Sequence, residues 1–121
     1  MSQTFSNCLK EARQNKGYSQ RDLAALVKVD YTYLSRLEND RVEYAPSEEI
    51  IKLLAHHLEL DAEQLIYQAG RITSEDAKVI RELAKIHQKQ MPLLLRLIRD
   101  HPELTQKFIR EAAYIQNKLT D

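Results

Sequence analysis

Residues 19–39 read SQRDLAALVKVDYTYLSRLEN, and the punctuation inside this stretch decides the fold. Ser19 is placed to cap a helix: its hydroxyl accepts from the first unpaired backbone N–H groups, and Asp22 answers it as in a capping box. Leu23, Ala24 and Val27 then share one helical face and point inward. After Lys28 and Val29, Asp30 caps a second helix from Tyr31 to about Asn39, with Leu34 and Leu37 as its buried pair. Tyr31, Thr32, Ser35 and Arg36 are left on its outer side. Two short helices joined by a turn of about three residues, with small Ala24 at the close approach and Val29 in the turn, form a helix-turn-helix.

Working outward, the spacing of Phe5, Leu9 and Ala12 predicts a first helix over Thr4 to Lys16, ended by Gly17 in the left-handed conformation. Beyond Asn39 a polar loop, 40–46, leads to Ser47, a further N-cap. Ile51, Leu54, Ala55 and Leu58 follow on one face, and Glu48 and Glu49 suit the positive end of that helix. Asp61 caps a fifth short helix through Ala69, with Gln64 at the capping-box position and Leu65 and Ile66 packed inward, before Gly70 stops it. Downstream, Thr73 and Asp76 mark a longer helix to about Gln90 with the stripe Ile80, Leu83, Ala84 and His87. Pro92 restarts the chain, Leu93 to Ile98 is dense in apolar side chains, and His101-Pro102 breaks it again. A last helix carries Leu104, Phe108, Ala112, Ile115 and Leu119. No stretch alternates as a strand would, so the expected class is all-α, with a five-helix domain over 1–70 and a helical region over 71–121.

The composition agrees: 43% hydrophobic and 30% charged residues, with 2 Gly and 3 Pro in 121, fit a compact helix-rich chain. That length holds one modest core with a helical appendage and leaves little room for a catalytic cleft. The opening Met1-Ser2-Gln3-Thr4-Phe5 is polar and no apolar run is long enough for a membrane span, so the expected compartment is the cytoplasm. Cys8, the single cysteine, sits at helical spacing from Phe5, Leu9 and Ala12 and reads as a core thiol. His56 and His57 adjoin on one helix and point about 100° apart, which is wrong for chelating one metal. His87 and His101 have no obvious nucleophile partner. Neither an enzyme, a metal site nor a cofactor is indicated.

Overall 18 basic residues balance 18 acidic ones. The distribution is uneven: between Lys10 and Arg41 seven bases meet five acids, whereas from 42 to 70 six acids meet only Lys52. That second stretch is expected to face away from phosphate, and weak non-specific affinity for nucleic acid follows.

The string at 19–39 resembles the phage-repressor, or XRE, family, which shows Ser/Thr-Gln, Leu-Ala, a Val-Ser-like turn and an Ile-Ser-Arg-Ile-Glu-like ending. Residues 41–70, RVEYAPSEEIIKLLAHHLELDAEQLIYQAG, look like its fourth and fifth helices, so the resemblance extends over 5–70. It implies a sequence-specific regulator of double-stranded DNA, a repressor acting by occlusion. Carried over position by position, it makes Tyr31, Thr32 and Arg36, with Ser35 beside them, the readers of base edges. Gln20, Arg21, Asn39, Arg41 and Tyr44 would grip phosphate and set register. Arg36 has the donor fork that suits guanine O6 and N7, and the Thr32 methyl suits a thymine methyl. The chain departs from the family at Lys28 and Asp40, where Gly is usual and the turn conformation costs a side chain more.

The tail carries more apolar side chains than its own helices can hide, so Ile80, Leu83, Leu94, Leu97, Leu104, Phe108 and Ile115 are expected to form an oligomer contact. A two-fold dimer sets two reading helices about 34 Å apart, on successive major-groove turns of a palindromic site. The alternative within the region is that it folds back on the first domain. Two rival functions remain: an antitoxin whose tail neutralises a protein partner, and a protein-interaction module that no longer touches DNA, for which the neutral charge speaks.

Overall fold

The computed structural model describes residues 3–120, and every regular element among them is a helix. The polar opening at Met1 and Ser2 lies outside these residues. The first five helices are α1 (Gln3–Lys16), α2 (Gln20–Val27), α3 (Tyr31–Glu38), α4 (Glu48–Leu58) and α5 (Ala62–Gln68). Each start that the sequence marks carries its cap. Ser19 and Asp22 form the reciprocal capping box of α2, Asp30 accepts from the Thr32 N–H at 3.0 Å, Ser47 from Ile50, and Asp61 from Gln64 at 2.9 Å. The stops are equally local. Gly17 and Gly70 take positive φ, and so do Lys28 (φ 62) and Asp40 (φ 55), the two positions where a side chain replaces the expected glycine. Glu59 (φ 56) does the same at the end of α4, which nothing in its sequence announces.

Phe5 and Leu9 of α1, Leu23, Ala24 and Val27 of α2, Leu34 and Leu37 of α3, Ile51, Leu54 and Leu58 of α4, and Leu65 and Ile66 of α5 make one core. Burying each large aliphatic side chain contributes about 1.5–3 kcal/mol. α4 packs against α1, α2 and α5, and α3 against α1 and α2. Cys8 and Ala12 pack at the edge of this core, and burial pushes the Cys8 thiol above its ordinary range, in keeping with a packing thiol.

One buried ion pair holds α3 in place. The Arg13 guanidinium donates from Nε to Glu38 Oε2 at 2.8 Å and from Nη2 to Oε1 at 2.9 Å, with side-chain exposures of 11% and 1%. Its Nη1 donates to the Tyr18 carbonyl at 2.9 Å, tying in the α1–α2 link. At the same end of α3 the buried Ser6 hydroxyl donates to the Leu37 carbonyl at 2.6 Å.

By its contacts the chain divides into Met1–Ala77 and Lys78–Asp121, a boundary inside α6 (Ser74–Ile86). Residues just beyond Gly70 are bonded into the first unit: Arg71 donates to the carbonyls of Ala45 and Pro46, the Ser74 hydroxyl donates to Glu48 at 2.5 Å, and the Tyr67 hydroxyl to Asp76 at 2.5 Å. The second unit contains α7 (Met91–Asp100) and α8 (Pro102–Thr120), which pack on each other. α6 ends at Ile86, short of the expected Gln90, and His87 falls in the following turn, exposed, so it does not extend the apolar stripe. The reason is Pro92: lacking an N–H and crowding the preceding turn, it lies inside a new helix start rather than in a continuing helix.

The left-handed turn at Lys28 generates a test. A side chain there costs about 1–2 kcal/mol of backbone strain, partly offset in glycine by the freedom it gains on unfolding. Lys28→Gly should therefore raise stability by about 0.5–1 kcal/mol, read as a higher midpoint in urea or thermal unfolding.

Candidate nucleic-acid interface

α3 buries Leu34, Leu37 and Glu38. The side this leaves to solvent carries Tyr31, Thr32 and Arg36, all exposed, with Ser35 half-buried. No hydrogen bond or ion pair to a described residue engages the Arg36 guanidinium, so its donor fork is available. The Thr32 hydroxyl donates to Asp30 Oδ1 at 2.8 Å, which leaves the residue its methyl group and an acceptor to offer. Tyr33 is half-buried against the core, and burial pushes its phenol pKa up, as a packing residue requires.

The residues assigned to phosphate stand in three places. Gln20 and Arg21 open α2. Gln20 is half-buried, and its Nε2 donates to Glu38 Oε1 at 3.3 Å, so the ion pair that holds α3 also orients the start of α2. One amide N–H and the amide oxygen remain for a ligand. Asn39 closes α3 and donates from Nδ2 to the Ser35 carbonyl at 2.7 Å, again leaving a second N–H. Arg41 is exposed and its backbone N–H donates to the Arg36 carbonyl at 2.9 Å, while Tyr44, in the loop before α4, is 75% exposed. The starts of α2 and α3 meet where the Arg21 guanidinium lies over the Tyr31 ring, 4.3 Å from its centroid.

The two acids beside these groups are themselves committed. The Ser19 backbone N–H and hydroxyl hold the Asp22 carboxyl below its ordinary range, and the Thr32 backbone N–H and hydroxyl do the same for Asp30. Both therefore serve as helix caps rather than as counter-charges to the arginines.

Sequence reasoning passed over Arg13, Glu38 and Ser6. The signal was present in the periodicity: Glu38 continues the inward stripe of Leu34 and Leu37, and Arg13 follows Leu9 by one helical turn, so an acid and a base occupy inward positions on neighbouring helices. The oligomer candidates Ile80, Leu83, Leu94, Leu97, Leu104, Phe108 and Ile115 are all exposed, and Leu94, Leu97, Ile98, Leu104 and Phe108 line an apolar groove of about 340 Å³ between α7 and α8. His56 and His57 touch edge to face, 5.0 Å between ring centroids, and the described residues hold no group of side chains suited to a metal. No described helix is long and apolar enough to cross a membrane.

Residues 9–65 match the family model described as helix-turn-helix. No curated protein matches the sequence. Among solved structures the chain is similar to one in a SinR protein/SinI protein complex, at 22% identity over 85% of this chain and 98% of that one, with a TM-score of 0.48. It is also similar to the clp gene regulator ClgR from Corynebacterium glutamicum, at 26% identity over 81% of this chain and 90% of that one, with a TM-score of 0.47.

The two capping carboxylates give a pH dependence of known sign. Their folded pKa values lie below the unfolded ones, so their contribution is fully present above the ordinary carboxylate range and is lost as pH falls through the lowered values. Thermal unfolding should shift downward on acidification below about pH 4. Asp22→Asn with Asp30→Asn, which keeps an acceptor at each cap, should flatten that dependence; an unchanged acid profile would contradict the assignment.

Proposed function

We propose that the chain, whose residues 9–65 match the helix-turn-helix family model, is an XRE-type DNA-binding transcription regulator, a repressor that occupies a palindromic operator as a dimer. The outer side of α3 enters the major groove, with Arg36 donating to a guanine, the Thr32 methyl against a thymine methyl, and Tyr31 and Ser35 completing the set. Gln20, Asn39, Arg41 and Tyr44 grip the sugar-phosphate strands on either side. The observation that carries this reading is the contrast on α3: one face locked into the core by Leu34, Leu37 and the Glu38 ion pair, the other holding the exposed Arg36 guanidinium, whose donors no described residue occupies, beside the Thr32 methyl.

The exposed apolar faces of α6, α7 and α8 support the dimer, since a helical region of this size is marginal without further burial. The same faces favour a second reading in which the tail binds a different protein, as an antitoxin would. Sedimentation at micromolar protein separates the readings: the mass of two copies is expected, and a monomer that shifts only when a second chain copurifies would favour the alternative.

Binding to duplexes selected from a random pool should weaken as salt rises. Arg36→Ala should erase discrimination at one position by about 1–3 kcal/mol, and Gln20→Ala should weaken all duplexes alike. Fluorescence anisotropy at several salt concentrations reads both, and equal indifference to the two changes would remove the assignment.

A further inference from the structure

The family resemblance places Arg21 among the phosphate contacts, and in the fold its guanidinium lies against an aromatic ring of the next helix. Its guanidinium carbon lies 4.3 Å from the centroid of the Tyr31 ring. Arg21 is in the first turn of α2 and Tyr31 opens α3, and both are exposed, so the stack joins the starts of the two helices on their solvent side. A guanidinium held against an aromatic face keeps its N–H donors in its own plane, pointing away from the ring edge. No hydrogen bond or ion pair to a described residue occupies those donors. The nearby carboxylates do not claim them either: Asp22 accepts from the Ser19 N–H at 3.1 Å and Asp30 from Thr32 at 3.0 Å.

A phosphate contact asks only for positive charge within reach and tolerates a mobile arm. Bidentate donation to a base asks for a planar fork at a fixed place, and a stack on a residue of the reading helix supplies that. We propose that Arg21, stacked on Tyr31, reads a guanine through its O6 and N7 in the major groove, so that base recognition is divided between α2 and α3. This rests on the DNA-reading role proposed above and adds a second guanine to the one assigned to Arg36.

The test uses the full chain and its variants Arg21→Ala, Arg21→Lys, Tyr31→Phe and Tyr31→Ala, each checked for unchanged thermal unfolding. Each selects duplexes from a random pool, and affinities are then measured on the duplex preferred by the unaltered chain. The same duplex is also made with 7-deazaguanine, which lacks the N7 acceptor, at each guanine in turn. Arg21→Ala is expected to lose preference for guanine at one position per half-site, a discrimination of about 5- to 150-fold. One deaza substitution should weaken the unaltered chain yet leave Arg21→Ala indifferent. Arg21→Lys should not restore the preference. Tyr31→Phe, which keeps the ring, should retain guanine at that position, and Tyr31→Ala should lose it.

Uniform weakening of every duplex by Arg21→Ala, with the same preferred sequence and a salt slope reduced by about one, would overturn the proposal and return Arg21 to phosphate. Tyr31→Ala with that guanine preference intact would overturn the platform. An unaltered chain that selects no sequence at all would instead overturn the reading on which the proposal rests.

Discussion

The Arg13–Glu38 ion pair is the constraint on which the reading surface depends. α3 spans only Tyr31–Glu38, too short to be stable as an isolated helix, and it buries just two apolar side chains. Two leucines fix which face is inward; they do little to fix tilt or slide along the neighbouring helices. The bidentate Arg13 fork supplies both restraints, because two parallel N–H···O bonds at 2.8 and 2.9 Å permit little change of angle. Taking the two charges out of water is costly, and each partner's removal leaves the other buried and unpaired. Such a pair is better suited to specifying one arrangement than to adding net stability.

From that anchor the constraint spreads by bonds the pair itself makes. Arg13 also grips the Tyr18 carbonyl, and Glu38 also accepts from Gln20, so α1, the α1–α2 link, α2 and α3 converge on one carboxylate and one guanidinium. Ser6 adds a second tie at the Leu37 carbonyl. The polar groups on the far side of α3 are thereby carried on a rigid mount, which positions side chains better than a loop does. With no net charge on the chain as a whole, little long-range attraction to phosphate strands is expected, so in the proposed function discrimination comes from the placement of a few donors.

What was legible in the sequence was whatever local chemistry enforces. Ser19 with Asp22, Asp30, Ser47 and Asp61 bond backbone groups two or three residues away, so their meaning is contained in a short window. The turns at Lys28 and Asp40 were legible as departures from glycine, and both take positive φ. Glu59 does so with no comparable marker: it closes α4 in the left-handed conformation, with its N–H bonded to the His56 carbonyl and that of Leu60 to Ala55. The ion pair was hidden because Arg13 and Glu38 are 25 residues apart, and either alone reads as a surface charge. The outward set on α3 was visible from periodicity, whereas the Arg21–Tyr31 stack joins two helices and becomes visible only when both are placed.

A double-mutant cycle on Arg13→Met and Glu38→Leu, followed by urea unfolding and by binding to the preferred duplex, tests the central claim most directly. If the ion pair sets the pose of α3, each single change costs about 3–5 kcal/mol of stability, and the double change recovers most of that loss while sequence preference stays impaired. Small, additive single effects together with unaltered duplex preference in the double variant would contradict it.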